Sequence, residues 1–185
     1  LHVGAGTFKP VKTETMQDHE MHAEYIDVPK KTIENIIANI DKKIIAVGTT
    51  SLRTIESLYW LGKRQLPRSS IQNGAPLSVS QWEPYEQEQK KITSKVALQS
   101  LLKWMELNNL ERLIAKTQII IAPGYQFKIV DALITNFHQP QSTLLLLVAA
   151  LTGENEWRKI YDYALKNNFR FLSYGDGSLL WKKQY

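Results

Sequence analysis

The stretch KIIAVGTTSLRTIESLYWLGKR, residues 43–64, decides the fold class. Its apolar run at residues 44–47 is rich in β-branched side chains, which is typical of a strand buried on both faces of a parallel sheet. Residues 48–51 form a turn, and Ser51 or a neighbouring threonine is the expected N-cap of the next helix. That helix ends near Lys63 and Arg64, where positive charge favours the helix dipole. Strand, tight turn and helix in this order predict an α/β fold.

Hydrophobic periodicity extends this α/β pattern in both directions along the chain. Further strands are predicted at residues 24–28, 118–122, 132–137 and 178–181, and helices at 32–40, 91–109 (capped at Thr93), 142–151 and 154–168. The runs 44–47 and 119–121 lack alternation and are predicted to be interior strands. The amino-acid composition changes at about 65–116, and we expect a helical insertion there. The predicted fold is therefore a mostly parallel sheet flanked by helices.

Size and composition limit the classes of protein that need consideration. The 185 residues can form one domain with a real core, and 43% hydrophobic against 22% charged residues is the balance of a soluble globular protein. The absence of cysteine excludes disulfides, zinc–thiolate sites and thiol nucleophiles, and it fits a reducing cytoplasm. The longest apolar run, residues 144–151, is too short to cross a bilayer. The net charge of +5 suits an anionic partner, but it also suits a merely basic protein.

The segment LHVGAGTFKPVKTETMQDHEMHAE, residues 1–24, carries glycine, histidine and acidic residues of the kinds that functional sites use. Gly4 and Gly6 allow a tight turn and the close approach of a ligand. His19 and His22 lie near Glu24, so a metal site is one hypothesis. A polar cluster that faces a substrate and a plain solvated surface are the alternatives. Because the chain starts at Leu1 inside what looks like a strand and turn, we expect further residues upstream.

The second such segment is VGTTSLRTIES, residues 47–57. A helix that begins directly after a buried strand presents free N–H groups, which suit a phosphate or carboxylate. Arg53 would add a bidentate donor on the first turn. The alternative is an ordinary turn between a strand and a helix. The segment is not a P-loop, because the Gly-Lys-Ser/Thr ending is absent.

The third segment is PGYQFKIVDALITNFHQPQSTLLLLVAALTG, residues 123–153. Asp131, Thr135, Asn136 and His138 bracket an apolar strand just before a helix, and open α/β sheets hold ligands at such strand ends. Histidine is the side chain best suited to proton transfer near neutral pH. A structural or merely exposed histidine is the alternative.

Together with RFLSYGDGSLL, residues 170–180, these segments in this order resemble the S-adenosylmethionine:tRNA ribosyltransferase-isomerase family of queuosine biosynthesis. The resemblance covers the chain except for about 65–116. It implies that an upstream part is missing, including a small β-barrel domain and part of the active site. Gln139, Leu146 and Gly177-Ser178 depart from the family's usual residues, and the last pair could alter substrate choice.

The resemblance implies transfer of the ribosyl group of S-adenosylmethionine onto 7-aminomethyl-7-deazaguanine at the wobble position of tRNA. The ribose is isomerised to give epoxyqueuosine, and adenine and methionine leave. S-adenosylmethionine is then a co-substrate, and no cofactor or metal is implied. The partners are S-adenosylmethionine and tRNA, the location is the cytoplasm, and the 185-residue chain alone is expected to be inactive.

The sulfonium acidifies the neighbouring ribose methylene, so the reaction needs a base there and an acid to assist adenine departure. For proton transfer the resemblance implies His138, His19, His22, Glu24 and Asp131, in no assigned order. For substrate binding it implies Gly4, Gly6, Thr49, Thr50, Ser51, Arg53, Asn136, Tyr174 and Asp176.

Three other functions stay open at the level of sequence. A paralogue could keep the fold and bind RNA or a nucleoside without this reaction. A regulatory nucleotide-binding domain would explain the turn at residues 48–51 but leaves the TNFH segment, residues 135–138, unexplained. A methyltransferase is disfavoured, because no glycine-rich turn followed by a ribose-binding acidic residue is visible.

Overall fold

The computed structural model describes residues 21, 23–65, 77–86, 91–140 and 142–183. Helices and strands are interspersed along this chain. The strands are β1 (Glu24–Pro29), β2 (Ile45–Val47), β3 (Leu77–Val79), β4 (Arg112–Thr117), β5 (Ala132–Asn136) and β6 (Gly177–Trp181). The helices are α1 (Lys30–Ala38), α2 (Thr49–Gln65), α3 (Ser94–Leu107), α4 (Thr143–Thr152) and α5 (Glu154–Lys166), with a 3₁₀ turn at Glu83–Tyr85. The predicted α/β class is confirmed. None of these helices is long and apolar enough to cross a membrane.

The described strands form two three-stranded sheets. In the first sheet, β4 lies between β1, which is antiparallel to it, and β3, which is parallel. In the second sheet, β5 lies between the parallel β2 and the antiparallel β6. Each sheet is therefore mixed, whereas the sequence predicted a mostly parallel one.

The prediction of two interior strands is wrong for the described strands. β2 lies at an edge of its sheet, and Ile45 and Val47 are 40% and 66% exposed. Residues 119–121 are buried but form no strand, because the amides of Ile119 and Ile120 bond to the Thr117 hydroxyl and the Gln81 carbonyl. A continuous apolar run indicates that a segment is buried, but it does not determine the backbone conformation of that segment or the strand that pairs with it.

The segment predicted to be a helical insertion is part of the core. It supplies β4, the middle strand of the first sheet, and α3, which packs along α2. The two helices approach so closely at Gly62 that a Cβ there would collide with the Ala97 carbonyl. The hydroxyl of Thr93 accepts a bond from the Val96 amide at 3.3 Å and begins α3 at the predicted cap. Removing this segment would remove the support of α2.

Candidate functional site

The parallel strands β2 and β5 end side by side, and a cleft of about 210 Å³ lies beyond their carboxyl ends. β2 leads into α2 through Gly48, whose φ of +85° favours glycine and whose amide donates to the Ile134 carbonyl at 2.8 Å. β5 leads into the loop that carries His138. The cleft is lined by Gly48, Thr49, Thr50, Thr135, Asn136, His138, Gln139, Ser142, Leu144, Leu172 and Ser173. This is the edge at which open α/β sheets bind ligands.

Two helices begin at this cleft. α2 starts at Thr49 and α4 starts at Thr143, where the Ser142 hydroxyl accepts a bond from the Leu145 amide at 3.3 Å. The first turns of both helices lie within the described residues and contain no acidic side chain. The free N–H groups and the positive ends of both dipoles therefore favour an electronegative or anionic group in the cleft.

His138 forms a wall of the cleft and is 9% exposed. Its Nε2 lies 3.1 Å from the Thr135 hydroxyl, and its backbone amide donates to the Tyr161 hydroxyl at 3.0 Å. Burial lowers the pKa of His138 from 6.5 to about 4, because the charged ring would lose its hydration. At neutral pH the ring is therefore uncharged, with one nitrogen as donor and the other as acceptor.

The turn between α5 and β6 closes one side of the cleft through Leu172 and Ser173. The carboxylate of Asp176 accepts the Arg170 amide at 2.7 Å, and this bond is the main reason why the pKa of Asp176 is lowered. The amide group of Asn136 donates to the Gly175 carbonyl at 3.1 Å. Asp176 thus shapes the turn with Arg170, whereas the sequence pointed to substrate binding.

Arg53 of α2 and Glu24 of β1 form a buried ion pair. The guanidinium donates from Nη1 to the Glu24 carboxylate at 2.9 Å and from Nε to the Ile119 carbonyl at 3.1 Å. Burial lowers the pKa of Arg53, and the charge of Glu24 opposes this. Neither side chain lines the cleft: Arg53 joins α2 to β1 and the segment after β4, and Glu24 is its counter-ion. Substrate binding by Arg53 and proton transfer by Glu24 stay predictions.

Asp131 lies at the other end of β5. Its carboxylate accepts the Ile44 amide at 3.1 Å and faces Lys43 and Lys182 at 3.4 and 3.6 Å. A five-residue strand spans roughly 15 Å, so this carboxylate is far from His138. The structure therefore does not bring Asp131 together with His138, since a residue before a strand and one after it lie at opposite sheet edges, and proton transfer by Asp131 stays a prediction.

The remaining site predictions have separate outcomes. Thr49, Thr50 and Asn136 lie with His138 in the cleft, and Ser51 lies on the first turn of α2 without lining it. The α2 helix begins one residue after Gly48, whose carbonyl accepts the Leu52 amide, so the expected serine or threonine cap is replaced by glycine. Gly4, Gly6, His19 and His22 lie outside the described residues, which contain no cluster of three or more metal-binding side chains.

Glu56 is a polar residue that the sequence reasoning missed. It is fully buried in α2, and its carboxylate accepts the Tyr125 hydroxyl at 2.7 Å and the amides of Lys128, Ile129 and Val130 at 2.9 Å. These four bonds fix the segment that leads into β5. A signal was available, because positions 52, 59 and 60 put Glu56 on the apolar face of its helix.

Comparison with known proteins gives one consistent family. The family model described as "Queuosine biosynthesis protein" matches residues 1–180. S-adenosylmethionine:tRNA ribosyltransferase-isomerases from Burkholderia cenocepacia (strain HI2424) and Burkholderia ambifaria (strain MC40-6) are 37% identical over 99% of this chain and 41% of theirs. The crystal structure of S-adenosylmethionine tRNA ribosyltransferase from Thermotoga maritima matches with a TM-score of 0.53 and 31% identity, over 84% of this chain and 39% of that chain. The chain thus spans about two fifths of the length of these relatives.

Proposed function

The chain belongs to the queuosine biosynthesis protein family, and on that premise we propose that it is part of an S-adenosylmethionine:tRNA ribosyltransferase-isomerase. The proposed reaction moves the ribosyl group of S-adenosylmethionine to 7-aminomethyl-7-deazaguanine at the wobble position of tRNA. It isomerises the ribose to give epoxyqueuosine, and it releases adenine and methionine. S-adenosylmethionine is the co-substrate, no resident cofactor or metal is proposed, and a tRNA substrate is in keeping with the cytoplasm.

The observation that carries the proposal is the cleft that joins His138 to two helix N-termini. When the base removes the proton beside the sulfonium, the electron pair left behind can open the ribose ring, and the ring oxygen leaves with the electron pair of its broken bond. N–H groups aimed at that oxygen stabilise its negative charge. The hydroxyls of Thr49 and Thr50 suit a sugar, because each can both donate and accept.

His138 is proposed to be the base of this reaction. Its ring is uncharged at neutral pH, so it can accept a proton without first losing one. The Thr135 hydroxyl holds Nε2, and the Tyr161 hydroxyl holds the backbone amide, so the ring has a fixed place in the cleft. A general acid for adenine departure is then needed from elsewhere. His19 and His22 stay proposals for that role, together with the part of the relatives that lies outside the match.

The test is to join residues 1–185 to the part of the Burkholderia cenocepacia relative that lies outside the match, and to measure adenine release from S-adenosylmethionine with precursor tRNA. We expect turnover that depends on the tRNA. In that protein, His138→Gln should lower the rate by about a hundredfold to ten-thousandfold. Asp131→Asn is the matched control and should stay within a few-fold, because Asp131 lies at the opposite edge of the sheet.

Circular dichroism would establish that both variants fold. Absence of adenine release in the joined protein would contradict the reaction. A His138→Gln protein with nearly the parental rate would contradict the assignment of the base and leave the reaction in place.

A further inference from the structure

Tyr174 is the most exposed of the large side chains with apolar character in the described part of the chain. It is 97% exposed, and the next most exposed, Val47, is at 66%. A tyrosine ring can bury 150–250 Å² against a partner. No described side chain covers this ring, whereas the ring of Tyr25 on β1 has the Lys116 ammonium 4.9 Å from its centre. Tyr174 thus offers both faces of its ring to a ligand.

The turn that carries Tyr174 is fixed by hydrogen bonds on both sides of it. The Leu172 amide donates to the Phe137 carbonyl at 2.9 Å, the Gly175 amide to the Leu172 carbonyl at 2.9 Å, and the Asp176 amide to the Arg170 carbonyl at 2.8 Å. Leu172 has a φ of +71°, in the left-handed region that a non-glycine residue adopts only where the surrounding structure holds it there. The ring is therefore held out into solvent by a turn whose backbone is constrained.

The position of the turn relates the ring to the cleft. Leu172 and Ser173 line the cleft together with His138, and Tyr174 follows Ser173 directly. Consecutive Cα atoms are about 3.8 Å apart, so the backbone of Tyr174 borders the cleft, while its ring lies outside the lining. The amide group of Asn136, another lining residue, bonds to the Gly175 carbonyl and ties the turn to the end of β5.

We propose that Tyr174 stacks against a nucleobase beside the cleft. This rests on the proposed function, since both proposed substrates carry nucleobases. Aromatic side chains stack on unpaired bases of any identity, and this is a general way in which proteins hold single-stranded RNA. The base comes from one of two sources, an unstacked base of the RNA or the adenine of S-adenosylmethionine, and the chemistry of stacking is the same for both.

The test measures two dissociation constants on the joined protein, in which residues 1–185 are completed by the remainder of the Burkholderia cenocepacia relative. A fluorescently labelled anticodon stem-loop RNA is titrated by anisotropy, and S-adenosylmethionine is titrated by calorimetry. Tyr174→Ala should raise the dissociation constant of one ligand by about 5- to 150-fold, which corresponds to about 1–3 kcal/mol of stacking. Tyr174→Phe keeps the ring and should stay within about threefold. Tyr25→Ala removes an exposed ring from β1, which belongs to the sheet formed by β1, β4 and β3, and is the matched control.

A loss confined to the RNA would identify an RNA base, and a loss confined to S-adenosylmethionine would identify its adenine. Unchanged affinities in Tyr174→Ala, a loss in Tyr174→Phe equal to that in Tyr174→Ala, or no binding of either ligand by the unsubstituted joined protein would overturn the stacking. Adenine release by the joined protein together with unchanged affinities in Tyr174→Ala would overturn the stacking alone. No adenine release together with weakened RNA binding in Tyr174→Ala would overturn the proposed function alone.

Discussion

Replacing Glu56 with glutamine is expected to destabilise the fold by several kcal/mol through one buried oxygen. Oε2 accepts the Tyr125 hydroxyl and the Lys128 amide, and Oε1 accepts the amides of Ile129 and Val130. Glutamine keeps only one acceptor oxygen. Whichever oxygen becomes NH₂, two donors lose their acceptor and face another donor.

The magnitude follows from which pair of bonds is lost. A hydrogen bond to a charged group contributes about 1.5–3 kcal/mol, so losing two costs roughly 3–6 kcal/mol. The hydroxyl of Tyr125 can rotate its proton, although its oxygen already accepts from Trp60 Nε1 at 3.0 Å. The amide of the new side chain should therefore turn toward Tyr125. That orientation makes the lower half of the range, about 3–4 kcal/mol, the expected loss.

Urea unfolding followed by circular dichroism at pH 7 is the assay. The slope of the unfolding free energy against urea concentration depends on the surface area exposed on unfolding, so it shows whether the variant exposes the same area as the parent. Glu56→Gln should lower the midpoint with an unchanged slope. Glu156→Gln on the exposed face of α5 is the matched control and should change stability by no more than about 0.5 kcal/mol. A loss below about 1 kcal/mol for Glu56→Gln would refute the reasoning, because four bonds to one buried carboxylate would then contribute almost nothing.

Three further predictions concern His138, Arg53 and the isolated chain. The pKa of His138 is about 4 when folded and 6.5 when unfolded, so the unfolded state binds the extra proton between these values and stability falls as pH falls through that window. The loss should reach roughly 3 kcal/mol near pH 4 and be absent from His138→Gln, and equal urea midpoints for both proteins at each pH would contradict it. Arg53→Ala leaves Glu24 buried without its counter-ion and should lower the free energy of unfolding by about 3–5 kcal/mol, measured with urea. Arg112→Ala, at the exposed pair with Asp27, should cause a much smaller loss, and similar losses in the two variants would contradict the prediction. The 185-residue chain alone should release no adenine from S-adenosylmethionine, and adenine in that assay, read by chromatography, would show that the catalytic groups are all present in it.

Local signals predicted the elements well where the local sequence decides them. Thr93 and Ser142 cap α3 and α4 as expected, since a cap depends only on a side chain and an amide three residues later. Strand pairing depends on distant residues. The apolar run of β2 predicts an interior position, yet its place at the edge depends on which strands lie beside β5, and no local pattern specifies that.

The candidate site residues show the same difference between what local sequence determines and what distant contacts determine. Thr49, Thr50, Asn136 and His138 follow strands, so the edge rule for parallel strands brought them together correctly. Asp131 precedes β5, and the same rule places it at the opposite edge once the strand's bounds are known. The pair of Arg53 with Glu24 could not be predicted, because it joins residues 29 positions apart in the sequence, one on α2 and one on β1.

The low pKa of His138 sets a condition on the chemistry of the complete site. A base with a pKa of about 4 holds a proton less well than ordinary histidine by roughly 3 kcal/mol. Burial causes that deficit, and burial also makes any nearby negative charge more effective, because the local dielectric is low. A carboxylate or an oxyanion brought next to the ring by substrate, or by the part of the relatives outside the match, would therefore raise the pKa toward neutrality. The helix N-termini attract such an anion into the cleft, so the groups that bind it and the ring that it activates occupy one site.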